Sequence, residues 1–124
     1  MLASGHLPTM QFERAREILL SHPGAEEGFP FGPEVMVFKV GGKMFATLAY
    51  EEIPARMNLK CEPARALELR ERYASVIPGY HMNKKHWNTL TLGNELSPSE
   101  VEELVTHSYE LVVASLPKVQ REQL

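Results

Sequence analysis

The sequence predicts an α+β fold, a mainly antiparallel sheet with helices packed on one face. Three observations carry that expectation. Apolar residues at helical spacing occur in three stretches, with alternating stretches between them, in the order α-β-β-β-α-β-α. The pair Gly41-Gly42 separates two β-rich runs, where a two-residue hairpin turn requires positive φ. Ser97-Pro98-Ser99-Glu100 is a capping box with proline at the first helical position.

Taken in chain order, Thr9 suits the cap of a first helix running to about Ser21, with Phe12, Ala15, Ile18 and Leu19 on one stripe. His22-Pro23-Gly24 stops it. Phe29-Pro30-Phe31-Gly32-Pro33 cannot be helix and reads as an edge strand or an ordered loop. Val35–Val40 and Lys43–Tyr50 then form the hairpin, whose turn sets Val40 opposite Lys43 and Phe38 opposite Phe45 as an aromatic pair. Arg56–Cys61 alternates, with Met57, Leu59 and Cys61 on one face and Arg56, Asn58 and Lys60 on the other. Pro63 opens a second helix reaching Tyr73. Trp87–Leu92 alternates again, Leu90 and Leu92 against Trp87, Thr89 and Thr91, and Gly93-Asn94 ends it. After the capping box, Val101, Leu104, Val105, Ser108, Leu111, Val112 and Leu116 follow at helical spacing. Three helical stripes cover one sheet face. The other stays open, and the alternation puts Arg56, Asn58, Lys60, Trp87, Thr89 and Thr91 on it.

The 124 residues are enough for a single domain spanning 1–124, with an ordered core over about 9–116, and too few for two. An apolar share of 44% supplies a core without disulfides or structural metal. One cysteine, Cys61, excludes an internal disulfide and any Cys-rich zinc site, and suits a reducing compartment. All 16 acids are Glu, which excludes Asp-based triads and dyads, EF-hands and Walker-B magnesium sites. The N-terminal MLASGHLPT lacks a basic n-region and no apolar run approaches 18 residues, so neither a signal peptide nor a membrane span is expected, and the expected location is the cytoplasm. No catalytic constellation emerges. The expectation is a non-enzyme with no cofactor and no metal.

Pro78–Trp87, PGYHMNKKHW, is the richest segment, and no acid occurs from Ala74 to Gly93. Cations, backbone N–H groups and flat rings in one loop suit a phosphate backbone or another anion. The other reading makes Tyr80 and Trp87 anchors in the core and leaves Lys84 and Lys85 simply solvated; both stay open. His81 and His86 stand five apart without an acidic neighbour, a poor metal pair. Cys61, on the apolar side of its strand, reads as a small core hydrophobe.

Phe29–Ala46, FPFGPEVMVFKVGGKMFA, and Leu59–Leu92, with its PGYHMNKKHWNT run, resemble the MmcQ/YjbR family of small bacterial proteins. The resemblance implies a fold similar to bacterial frataxin, CyaY-like, and a double-wing label that ascribes DNA binding to β-hairpins. Carried over residue by residue, it points to Lys39 and Lys43 on the hairpin, Lys60 after the third strand, and His81, Asn83, Lys84, Lys85, His86 and Trp87 in the loop. Leu92-Gly93-Asn94-Glu95 stands where the family's Asp-Gly turn is expected. Frataxin's iron chemistry does not transfer, because the first helix mixes Glu13 and Glu17 with Arg14 and Arg16 rather than forming an acidic ridge.

The net charge of −3 excludes a generally basic protein, yet residues 35–92 carry 9 basic groups against 5 acids, and the flanking segments 4 against 11. The expected function is therefore DNA or other nucleic-acid binding on the open sheet face and the 78–87 loop, through Lys39, Lys43, Arg56, Lys60, Tyr80, His81, Asn83, Lys84, Lys85, His86 and Trp87. The alternative is a protein-interaction or chaperone-like module that docks a protein partner on the same face. An open face also suits self-association, so monomer and homodimer both stay open.

Overall fold

A computed structural model describes residues 12–80, 82–93 and 95–124. The order is α1 (Phe12–Leu20), β1 (Glu26–Gly28), β2 (Met36–Val40), β3 (Lys43–Ala49), β4 (Arg56–Lys60), α2 (Pro63–Arg72), β5 (Val76–Pro78), β6 (Trp87–Thr91), α3 (Pro98–Ala114) and α4 (Lys118–Glu122). The six strands form one sheet in the order β1-β2-β3-β4-β6-β5, every neighbouring pair antiparallel. The α+β class and the four central strands agree with the sequence reading. The short outer strands β1 and β5 and the five-residue α4 are additions to it. Three-residue strands show no alternation that a periodicity argument could use. The Thr9 cap lies outside the described residues. Among those residues, no helix is long and apolar enough to cross a membrane.

One sheet face carries the core. Met36, Phe38 and Val40 from β2, Leu48 from β3, Met57 and Leu59 from β4, and Leu90 from β6 are all buried in a single cluster. Across them lies α3, packed on β3 and β4, whose buried stripe is Val101, Leu104, Val105, Ser108, Tyr109 and Val112. The start of α3 is the expected capping box: Ser97 Oγ accepts the Glu100 N–H, and Glu100 accepts the Ser97 N–H. In α2, Pro63 is the first residue and Glu62 is the cap, accepting the N–H groups of Ala64 and Arg65. The Arg16–Glu27 pair ties α1 to β1.

The β2–β3 hairpin departs from expectation in one respect. Gly41 and Gly42 take φ of +59° and +79°, and Val40 does pair with Lys43. Phe38, however, pairs with Ala46 rather than Phe45, because a bulge shifts the register between Phe38 and Lys39. The extra residue lets Phe45 turn into the helix layer, where its ring meets Tyr109 edge-on at 5.5 Å. The bulge also opens the ladder between Phe45 and Lys60, and α3 fills the gap. Ser108 Oγ donates to the Phe45 carbonyl at 2.6 Å and accepts the Lys60 N–H at 2.9 Å. Both of those backbone groups thereby keep a partner.

Candidate functional site

The face away from the helices is hollowed rather than open and flat. Its central row runs Val37–Thr47–Asn58–Thr89–Ile77 across five strands in register. A neighbouring row holds Ala49, Arg56 and Thr91; on the other side Lys60 stands opposite Trp87, and Lys39 opposite Met44. Two irregular segments rise over this floor and wall it. Residues 29–35 contribute Phe31 and Val35, and the 79–87 loop contributes Tyr80 and Met82. With Met44, Thr47, Ala49, Glu52, Arg56, Asn58 and Thr89 they enclose about 600 Å³, within the range of ordinary binding sites.

The floor is a directed chain of hydrogen bonds. The Tyr80 N–H donates to Thr89 Oγ1 at 3.0 Å, the Thr89 hydroxyl donates to Asn58 Oδ1, and Asn58 Nδ2 donates to Thr47 Oγ1 at 2.9 Å. At the rim the Arg56 guanidinium lies 5.4 Å from the centre of the Tyr80 ring, and its Nε is 3.7 Å from Glu52. Tyr80 itself is 55% exposed, and Phe31 is 72% exposed. Both are presented to solvent at the mouth of the hollow.

Both walls are held from elsewhere in the fold. The Tyr50 hydroxyl donates to the Pro33 carbonyl, and the Tyr50 ring packs against Phe12 and Phe29. The 79–87 loop closes on itself. Gly79 N–H donates to the Trp87 carbonyl at 2.8 Å, Trp87 N–H to the Asn83 carbonyl at 3.0 Å, and Lys85 N–H to Asn83 Oδ1 at 3.0 Å. A Cβ on Gly79 would come within 2.8 Å of Trp87 Cβ, so this approach needs glycine. From α2, Arg70 donates to the Lys84 and Trp87 carbonyls and, at 2.6 Å, to buried Asn88 Oδ1. The loop is thus an extension of the α2–β6 junction.

The eleven expected site residues separate into groups. Arg56 and Tyr80 line the hollow, and the strand alternation keeps Lys39, Lys60 and Trp87 on the same face. Lys43 does not join them. It follows Phe45 to the helix side, and its Nζ donates to the Ser115 carbonyl at 3.3 Å, at the end of α3. Lys84 folds back so that Nζ donates to the Gly79 carbonyl at 2.9 Å. Asn83 serves as the turn acceptor, and His86 gives its carbonyl to the Cys61 N–H at 2.8 Å. Lys85 is exposed on the loop, Trp87 is half-buried, and His81 lies outside the described residues.

The residues that sequence reasoning left out are Phe31, Val35, Met44, Thr47, Ala49, Glu52 and Met82. Thr47 carried a signal, a hydroxyl inside an apolar strand, but the bulge at Phe45 breaks the phase that would have placed it beside Asn58. The wall residues lie on segments without periodicity.

Cys61 is buried, and burial pushes its thiol up, away from the reactive thiolate. Burial, followed by the nearby Arg65 guanidinium, lowers His107; its Nε2 accepts the Glu62 N–H at 3.2 Å, a bond that requires the neutral ring. Among the described residues, no three His, Cys, Asp or Glu side chains are grouped so as to share a metal ion.

This geometry defines a class of small α+β domain: one antiparallel sheet, helices over one side, and a loop-walled hollow on the other. Within that class, the chain belongs to the YjbR family, whose model matches residues 20–111. It is 42% identical over 106 residues to YbdF of Escherichia coli O157:H7, covering 86% of this chain and 87% of that one. It is 31% identical over 115 residues to YjbR of Escherichia coli K12, covering 93% and 98%. Both relatives carry the description uncharacterized. Among solved structures, DR2400 of Deinococcus radiodurans superposes with a TM-score of 0.88 at 37% identity, covering 94% of this chain and 88% of that one. A Pseudomonas syringae protein superposes with a TM-score of 0.70 at 26% identity, covering 82% and 98%.

Proposed function

We propose that this chain is a non-catalytic binding module that docks a partner polypeptide on the hollowed sheet face, with an apolar side chain of the partner seated in the hollow. One observation carries the reading: a concave, largely apolar site of about 600 Å³ with exposed Phe31 and Tyr80 at its mouth. Large exposed side chains around an apolar depression are what a protein partner covers.

Nucleic acid, DNA above all, is the second reading. It is favoured by Lys39, Arg56, Lys60 and Trp87 sharing one face, which suits a single strand with stacked bases. Charge ranks it second. Lys39 stands opposite Glu26 and Arg56 is paired with Glu52, so two of the three cations on this face have an acid beside them. Lys43 and Lys84 aim their ammonium groups at backbone carbonyls.

The test places a photoreactive benzophenone side chain at Phe31, with Val119 on α4 as the control position, in the cells that make the protein. A protein adduct from position 31, absent from position 119 and abolished when Ala49→Trp fills the hollow, supports docking. A nuclease-sensitive adduct, with DNA affinity that falls steeply between about 50 and 200 mM salt, promotes the second reading. An adduct indifferent to Ala49→Trp overturns the role given to the hollow.

A further inference from the structure

The floor of the hollow has a polarity. Thr89 Oγ1 accepts the Tyr80 N–H and donates to Asn58 Oδ1, and Asn58 Nδ2 donates onward to Thr47 Oγ1. A chain running in one direction ends with donors. The hydroxyl proton of Thr47 and the second amide proton of Asn58 Nδ2 are left for an occupant. Each of the three floor oxygens already accepts one hydrogen bond from within the fold.

The rim repeats that preference with charge. Arg56 holds its guanidinium against the Tyr80 ring and has Glu52 3.7 Å from Nε, beyond hydrogen-bond distance. Its two terminal nitrogens make no hydrogen bond within the described residues. Lys60 lies on the same face but beyond the central row, two rows from Arg56, and Glu52 is the acid that lines the hollow. Donors below, a fork of N–H groups at the rim and apolar walls between them complement one kind of group: a large apolar side chain with an anionic acceptor beside it.

We infer that the docked polypeptide segment carries a carboxylate next to its apolar anchor, and that this carboxylate replaces Glu52 as the partner of Arg56. The inference rests on the docking reading and adds the chemistry of the partner. Glu52 then acts as an internal competitor, holding Arg56 in place while the site is empty.

The test uses two blocked pentapeptides with a central phenylalanine, differing only in whether glutamate or glutamine follows it. Each is titrated into isotope-labelled protein while the backbone amides of Thr47, Asn58 and Thr89 are followed by NMR. The glutamate peptide is expected to bind about fivefold tighter, the scale of one partly exposed ion pair. Arg56→Gln should abolish the difference between the two peptides, and Glu52→Gln should widen it. Equal affinities overturn the inference and leave docking standing. So does a Glu52→Gln protein, folded by its spectrum, that shows no wider preference. Shifts with neither peptide at millimolar concentration overturn both.

Discussion

Ser108→Ala tests whether α3 repairs the sheet where the bulge opens it. The Ser108 side chain is fully buried, and its hydroxyl is 2.6 Å from the Phe45 carbonyl and 2.9 Å from the Lys60 nitrogen. Alanine removes one atom and leaves two backbone groups without a partner. A buried unsatisfied donor or acceptor costs about 1–3 kcal/mol, so the pair sets a scale of roughly 2–6 kcal/mol. Partial closure of β3 onto β4 would return some of it, and we expect a loss of about 2–4 kcal/mol. With an unfolding entropy of about 2.1 cal/mol/K per residue, that lowers Tm by roughly 8–15 °C. Thermal and urea unfolding followed by circular dichroism measure the loss, and hydrogen exchange at the Lys60 amide locates it. Thr106→Ala, half-buried on the same helix, is the control and should stay within about 0.5 kcal/mol. A Ser108→Ala loss below about 1 kcal/mol with unchanged Lys60 protection would refute the splice.

Arg70→Met should cost about 2–3 kcal/mol by urea unfolding, because it leaves Asn88 Oδ1 buried without its donor and frees the Lys84 and Trp87 carbonyls. Arg70→Lys should not restore the loss, since a single ammonium cannot span three acceptors. The hairpin glycines should differ: a Cβ on Gly41 would meet Leu116 methyls at 2.7 and 2.8 Å, whereas nothing lies within 4 Å of one on Gly42. Both hold positive φ, so Gly41→Ala should destabilise by at least about 1 kcal/mol more than Gly42→Ala, read from paired denaturation midpoints. Histidine gives the pH dependence. Burial lowers both His22 and His107 below the ordinary 6.5. As pH falls through 6.5 the unfolded chain therefore takes up protons first, and stability should decline until the folded-state histidines protonate in turn. His107→Gln should flatten part of that slope in stability measured between neutral and mildly acidic pH.

Local rules carried most of the fold. The capping box, the Pro63 start and the two glycines are short-range chemistry, and each appears where the sequence puts it. The Phe38–Phe45 pairing failed because a bulge depends on what the extra residue gains by leaving the ladder. Phe45 gains the Tyr109 ring and the Ser108 hydroxyl, both contributed from more than sixty residues away along the chain. No periodicity within β3 contains that information. Strands β1 and β5 were missed for a related reason, since partners rather than composition make a three-residue strand.

The candidate site was legible as a face and illegible as a shape. Alternation placed Arg56, Asn58, Lys60, Trp87 and Thr89 on one side of the sheet, because side-chain direction along a strand is a local property. Whether that side is open depends on the path of 29–35 and 79–87, and those paths are set by contacts from other elements. Tyr50 anchors one wall, and Arg70 on α2 anchors the other. The same dependence complicates the simple charge argument. Lys84 belongs to a stretch without acids, yet its ammonium finds the Gly79 carbonyl because Arg70 and Asn83 have already bent the loop back on itself. The loop's own closure directs one of its cations inward, although that ammonium keeps its charge and two further N–H donors. At the mouth of the hollow, Tyr80 reaches solvent, backed by Arg56, over a floor that offers protons, while Lys85 is exposed elsewhere on the loop. Under the proposed docking, that combination would select by shape first and by charge second, so the expected order of effects is a large loss of binding on filling the hollow at Ala49 and a smaller, salt-sensitive loss on neutralising Arg56.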